Sequence, residues 1–263
     1  MDINFAFDKI PLPLMYIITT AIVFLSITIG FKLGSYIRHH KTHKKETPTG
    51  TIIGSMLGLL AFILAFTFGL AASRYDSRKQ LLLDEVSAIG TAYLRTDFLA
   101  EPEGSETRKI LKRYVDIRVE VARNPAELSK ALVESEELHR LLWSQVTSLS
   151  RKNNDSVLFG LYAQSLNEVI DLQEKRVTVF LVYRIPGSIW MVLYFVMILT
   201  MFSVGYDFGH NRGGGILISL ILSLVFSAIL LLVLDLDRGA EGMFKVNQSP
   251  MVELQQKLRL SAK

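Results

Sequence analysis

Five side chains at strict four-residue spacing carry the most suggestive chemistry in this sequence: Phe62, Phe66, Leu70, Arg74 and Arg78. Residues four apart lie along one ridge of an α-helix, so large apolar side chains here give way to two cations. If several copies of such a helix surrounded an axis, the phenylalanines would form a constriction that excludes water, and the arginines would form a cationic ring. The pattern predicts an anion-attracting pore whose neck is Phe62, Phe66 and Leu70.

The same ridge is also compatible with lipid contact or helix packing. Phenylalanines in a membrane span commonly contact lipid or neighbouring helices, and arginines at the end of a span commonly extend to the interface. A strict four-residue ridge also drifts by about 40° per step on a helix of 3.6 residues per turn. Phe62 and Phe66 are therefore expected to share a face more closely than the whole set does.

A second stripe on the same segment consists of small residues at steps of four and three: Gly54, Gly58, Ala61, Ala65, Gly69 and Ala72. Small side chains let helix backbones approach closely inside a bilayer, where lipid provides no hydrophobic drive for helix association. We therefore expect this face of the helix to pack against protein.

Two carboxylates, Asp235 and Asp237, close the last apolar stretch of the chain. Carboxylates at the end of a span are either interfacial or paired with cations of adjoining helices. We expect this pair to bridge Arg74, Arg78 or Arg184.

Enzyme chemistry is not indicated. The chain has no cysteine, which removes thiolate metal sites and cysteine nucleophiles. His39, His40 and His43 include a pair at i, i+4 that can bind a metal, but no clear third ligand accompanies it, so a basic loop at lipid headgroups is favoured. The net charge of +4 is too evenly mixed to indicate a nucleic acid partner. We expect no catalytic residue, no cofactor and no metal.

The elements that must position these residues are membrane helices. Half of the 263 residues are hydrophobic, and they occur in long blocks. An uncharged stretch of about 20 residues is long enough to cross a hydrocarbon core. Four such stretches predict four spanning helices, at residues 10–31, 47–73, 185–206 and 213–234.

The segment between the second and third spans, residues 74–184, holds 17 basic and 17 acidic side chains at helical spacing. This balance is typical of a folded polar domain, here of three or four helices. No proline lies between Pro48 and Pro102, so the second span can continue as one helix of about 50 residues. The expected organisation is an all-α membrane protein with four segments: 1–73, two transmembrane helices with a short basic loop; 74–184, a helical extramembrane domain; 185–238, two further transmembrane helices; 239–263, a C-terminal tail.

Two blocks of the sequence resemble the signature segments of a bacterial family of four-helix membrane proteins that are called bestrophin-like: "GLLAFILAFTFGLAASRYDSRKQLLLDEVSAIGTAYLRTDFL" and "LLLVLDLDRGAEGMFKVNQSPM". With the layout of spans, the resemblance covers nearly the whole chain. A more distant similarity connects the chain to bestrophins, which are homopentameric, all-helical anion channels whose second helix forms the pore neck. The resemblance implies a homo-oligomer, with a pentamer favoured, and a neck near Phe62 and Phe66.

The sequence departs from bestrophins at several positions. Arg74 and Tyr75 stand where bestrophins have paired tryptophans, and Leu70, Ala71 and Ala72 replace polar residues that follow the bestrophin neck. The segment "LDLDRGAEG" is too short to assign a calcium-binding clasp. The loop "RHHKTHKKE" favours the cytoplasm for its own side by its lysines and arginines, whereas nine basic residues near helix ends on the opposite side outnumber six on the side of the loop, so charge alone does not orient the chain. The resemblance implies a bacterial inner membrane, with residues 74–184 in the cytoplasm.

The function expected from the residues and the resemblance together is an anion-permeable ion channel, whose partners are further copies of the chain, the lipid bilayer and inorganic anions. The alternative is a non-conducting scaffold or sensor, in which the long second helix is a rigid stalk. A membrane-embedded enzyme is disfavoured because no intramembrane acid, base or metal cluster is visible.

Overall fold

The computed structural model describes residues 10–40, 49–152, 156–211, 213–238 and 242–260, and no strand occurs among them. Two short 3₁₀ turns, Thr96–Phe98 and Pro125–Glu127, separate longer helices. The described α-helices are α1 (Leu12–His40), α2 (Thr49–Arg95), α3 (Glu103–Arg123), α4 (Leu128–Arg151), α5 (Val157–Leu181), α6 (Gly187–Asn211), α7 (Ile216–Arg238) and α8 (Ser249–Leu260). The expectation of an all-α chain is confirmed.

Four of these helices are long and apolar enough to cross a membrane: α1, α2, α6 and α7. The second is one unbroken helix of 47 residues, as the absence of proline predicts. The first continues to His40, beyond the expected end at residue 31. Nothing in its polar continuation stops a helix, because the only helix-breaking residue type there is Gly34, which packs closely against α6.

The chain divides into two compact units. The first contains residues Met1–Tyr75 and Arg184–Phe244, and the second contains Asp76–Tyr183 and Lys245–Lys263. Because α2 runs from Thr49 to Arg95, it contributes one part to each unit.

The first unit is organised by a close contact between α1 and α6. A Cβ atom added at Gly30 would fall within 3.0 Å of the backbone of Phe202, and one added at Gly34 would meet the backbone of Tyr206 in the same way. The contacts are reciprocal, because a Cβ at Gly205 would overlap the backbone of Ile27. Residue numbers increase in the same direction along both helices of this contact, so α1 and α6 are parallel.

Polar contacts reinforce this pair of helices. The Thr19 and Tyr194 hydroxyls are 2.9 Å apart, and the Arg38 guanidinium donates from Nη1 to the Gly209 carbonyl oxygen at 2.7 Å. Arg38 thereby satisfies a carbonyl in the last turn of α6, where cations are favourable. Small residues on both helices make the close approach possible, as in other membrane helix pairs.

The second unit has a separate hydrophobic core, to which α2, α3, α4, α5 and α8 contribute. Its fully buried side chains include Ile89, Leu111, Leu142 and Leu166. The short α8 inserts Met251 into this core, and on its polar side Gln255 and Arg259 both donate to Asp116 on α3. The C-terminal helix is therefore an integral part of this unit.

Replacement of Gly30 by leucine is expected to destabilise the first unit, since the new side chain would have to displace the α6 backbone. Overpacking in a close-packed interior costs about 1–3 kcal/mol, and a backbone obstacle leaves less room for adjustment than a side chain would. Thermal unfolding of the detergent-solubilised protein should show a melting temperature several degrees lower. The matched control is Ala21→Leu, at an exposed position of the same helix. Equal stability of both variants would contradict the proposed contact.

Candidate functional site

The two phenylalanines of the predicted neck project away from their own chain. Phe62 is 69% exposed and Phe66 is 56% exposed, although both lie in the middle of an apolar span. The opposite face of α2 is buried through a row of residues at helical spacing: Leu60, Leu64, Thr67 and Ala71. The helix therefore uses one side for its own core and leaves the phenylalanine side open.

The rest of the predicted ridge turns away from this open side. Leu70 and Arg74 are half-buried, and Arg78 is 7% exposed. At 100° per residue, Arg78 lies about 160° around the helix from Phe62, so the drift expected for a four-residue ridge is sufficient to separate them. The structure brings Phe62 and Phe66 to one surface, whereas a shared pore surface for Arg74 and Arg78 stays a prediction.

The small-residue stripe is also uncovered. A Cβ atom added at Gly54, Gly58 or Gly69 would meet nothing within 4 Å, and Ala61 and Ala65 are exposed. Ala72, at the end of the stripe, is half-buried. Among the described residues of one chain, Gly54, Gly58 and Gly69 have no packing partner, and the expected contact of this face with protein stays a prediction.

The exposed side of α7 provides a comparison within the same unit. Its exposed large side chains are all aliphatic: Ile216, Leu217, Ile218, Leu220, Ile221, Leu224, Val225, Ile229 and Leu232. Such a surface is suited to acyl chains. The open face of α2 instead combines Phe62, Phe66 and the aliphatic Ile52 and Leu59 with glycine and alanine, and such small residues are typical of contacts between membrane helices.

The two carboxylates at the end of α7 are buried and bind backbone amides. Asp237 accepts a hydrogen bond from the Ile185 amide at 3.0 Å, and Asp235 accepts from the Met243 amide at 3.0 and 3.2 Å to its two oxygens. Each carboxylate therefore helps to position a chain segment beside α7. Their expected pairing with Arg74, Arg78 or Arg184 stays a prediction.

Gly242 is required by the turn that Asp235 holds. Its φ of +139° lies in the region that favours glycine, and a Cβ atom there would overlap the Asp235 carboxylate. Sequence reasoning did not identify this role. The only signal for it was a glycine shortly after the acidic pair in "LDLDRGAEG".

Of the three histidines His39, His40 and His43, only the first two lie within the described residues. His39 and His40 end α1 and are exposed, and the His40 ring lies 4.1 Å from that of Tyr36. His43 and most of the basic loop lie outside the described residues. Among the residues that are described, no three of the His, Asp and Glu side chains are grouped as a metal site.

Comparisons with known proteins agree with this architecture. A family model described as a Bestrophin-like domain matches residues 17–251 of the chain. Crystal structures of variants of a bacterial bestrophin homologue from Klebsiella pneumoniae are similar in fold. One has a TM-score of 0.68 at 14% identity, covering 94% of this chain and 99% of that one. Another has a TM-score of 0.64 at 15% identity, with coverages of 93% and 99%. No curated protein matches the chain significantly.

Substitution of Gly242 by alanine is expected to lower the stability of the first unit by about 1–3 kcal/mol, because the residue must adopt a strained φ and the methyl group displaces Asp235. The matched control is Gly213→Ala, where an added Cβ meets nothing within 4 Å. Thermal unfolding of both variants measures the difference. An equal loss of stability in both variants would show that the turn at residue 242 does not require glycine.

Proposed function

This chain belongs to the bestrophin-like family, and on that premise we propose that it forms a homo-oligomeric ion channel whose pore is lined by α2. A pentamer is the favoured assembly, in keeping with the bestrophin resemblance of the sequence. The channel is a multi-pass protein of a bacterial inner membrane. In this proposal residues 74–184 form the extramembrane domain, and the described apolar helices form the membrane part.

The observation that carries the proposal is the exposure of Phe62 and Phe66 beside a small-residue face that no described helix of the same chain covers. A lone chain would present this mixed surface to lipid and would gain little from its glycines. A ring of copies would use both features, because small residues allow neighbouring helices to approach and the phenylalanines then surround the axis.

A neck of this kind controls permeation through dewetting. Phe62 and Phe66 are one turn apart, so two layers of aromatic rings would line about 6 Å of the pore. Narrow apolar constrictions expel water and thereby oppose the passage of hydrated ions. Leu70 would extend the apolar lining by one further turn, from a position that is half-buried in the single chain.

The charge of the permeating ion is proposed to be negative, with Arg74 as the main source of the field. Arg74 is partly exposed and lies about one turn beyond Leu70, the last residue of the apolar neck, whereas Arg78 is buried. The exposed Asp76 is the nearest acidic side chain along α2 and would favour cations instead. Ion selectivity therefore depends on which of these two side chains faces the permeation path.

A non-conducting scaffold or sensor is the second candidate. The length and continuity of α2 favour it, because an unbroken helix of 47 residues is a suitable stalk. In a scaffold, the small-residue face of α2 would be buried in a dimer without a central opening. Native mass spectrometry of the detergent complex separates the two, since a ring of five supports conduction and a dimer supports the scaffold.

Replacement of both Phe62 and Phe66 by alanine is expected to raise single-channel conductance several-fold in reconstituted bilayers, because a wider and less apolar neck holds water more readily. The matched control is Phe195→Ala, which removes an aromatic ring that is equally exposed but lies on α6. If the double variant conducts like the unmodified protein, the neck does not lie at these residues.

Neutralisation of Arg74 as Arg74→Gln is expected to reduce the preference for anions, visible as a shift of the reversal potential toward zero in a chloride gradient. The control is Arg140→Gln, since Arg140 is an exposed residue of α4 that pairs with Glu137. A cation-selective current that Asp76→Asn abolishes would contradict the anion assignment and would place the selecting charge at Asp76.

A further inference from the structure

The second unit contains a charged network in its core that the pore proposal does not use. Glu85 on α2 is completely buried, and its carboxylate accepts a hydrogen bond from the Tyr114 hydroxyl at 2.6 Å. The Arg118 guanidinium contacts the same carboxylate at 3.2 and 3.4 Å. From α5, the Arg176 Nε lies 3.0 Å from the other carboxylate oxygen. One carboxylate thus joins three helices.

The charges of this network do not balance. Two guanidinium groups share a single carboxylate, and Arg118 and Arg176 are both largely shielded from water. Removal of one partner from a buried ion pair is strongly destabilising, because the remaining charge is left without compensation. Protonation of Glu85 would therefore leave two buried cations without an anion.

His139 brings a fourth helix, α4, to the network. Its ring lies 4.9 Å from that of Tyr114, and its Nε2 atom is buried without a hydrogen-bond partner among the described residues. Burial lowers the pKa of His139 from 6.5 to about 4; the Glu85 charge opposes this shift and Arg176 adds to it. The imidazole is therefore neutral near pH 7, and its protonation would add a third cation to the same core.

The charged and titratable groups around Glu85 and His139 come from four helices of the unit. Within the described residues, α8 presents apolar side chains to this core. The other helices contribute the following titratable or charged groups: Glu85 from α2, Tyr114 and Arg118 from α3, His139 from α4, and Arg176 from α5. Burial tends to raise the pKa of Glu85, but Arg176 and Arg118 outweigh it and hold that pKa below its usual value of 4.5. Glu85 therefore keeps its charge over most of the range in which His139 becomes protonated, and the His139 proton is the change that increases the positive excess.

We propose that this network is an acid-sensitive latch, which holds the second part of α2 against α3, α4 and α5 and releases it when the core gains protons. The same helix carries Phe62 and Phe66, so release of α2 is also expected to change the conductance of the channel. This second part of the proposal rests on the proposed function, whereas the latch itself does not.

The pH window follows from the direction of the His139 shift. A histidine that is neutral when folded and protonated when unfolded lowers stability as the pH falls below its unfolded pKa of 6.5, and the loss is complete near its folded pKa of about 4. Above pH 6.5 the residue is neutral in both states and contributes nothing. The latch should therefore weaken between pH 6.5 and 4.

The test is hydrogen exchange of the backbone amides of α2 around Glu85, corrected for the intrinsic effect of pH. Protection in the unmodified protein is expected to fall about tenfold between pH 7 and pH 5. His139→Phe retains an aromatic ring beside Tyr114 and cannot be protonated, so its protection should change less than about threefold. Glu85→Gln should already lose protection at pH 7, and Glu137→Gln, which removes an exposed carboxylate, should not.

Each outcome decides the proposal. Equal protection of the unmodified protein at both pH values, or an identical loss in His139→Phe, would overturn the latch. If Glu85→Gln does not fold, the comparison with His139→Phe decides alone. Bilayer currents at pH 7 and pH 5 test the second part: an acid response that persists unchanged in His139→Phe overturns the link to conductance. Absence of current at every pH, with acid-dependent exchange intact, would refute the channel but leave the latch standing.

Discussion

The packing of the first unit depends on the close contact between α1 and α6. Four glycines let the two backbones meet, and the Arg38 and Thr19 side chains add polar contacts along the pair. Because the two helices satisfy each other, they need no further partner on that side. The buried row of α2 completes the core, and Phe62 and Phe66 on its other side stay exposed among the described residues.

Much of this architecture can be predicted from hydropathy and proline positions. The four apolar helices and the continuity of α2 follow from uncharged length and from the absence of proline between residues 48 and 102. Which glycines are in close contact cannot be predicted from hydropathy or from proline positions. The stripe on α2 and the pairs in "GFKLG" and "GYDFG" have the same small-residue spacing, yet only the pairs are in contact within the described part of the chain. Spacing shows that a helix can pack closely, but it does not identify the partner.

The predicted ridge shows a related limit. A spacing of four residues identifies neighbours on a helix, but over four steps the accumulated drift carries Arg78 to the side opposite Phe62. In the structure Phe62 and Phe66 are exposed and Arg78 is buried, whereas the sequence pattern places all three on one ridge. The Glu85 network is harder still to predict. Tyr114 and Arg118 lie 29 and 33 residues beyond Glu85 in the sequence, and Arg176 lies further still. Their charges look like ordinary members of a balanced polar domain until the helices are packed.

The two parts of α2 therefore obey different physical rules. In the apolar part, van der Waals packing is the main source of helix association, so an uncovered small-residue face can be satisfied by a second copy of the chain. In the polar part, a buried carboxylate secures the helix, and its contribution depends on protonation as well as on shape. In the proposed latch, a helix that is held by packing at one end and by charge at the other would respond to acidity without any ligand. The backbone from Phe66 to Glu85 is one continuous helix, and the proposed link between acidity and conductance depends on that continuity.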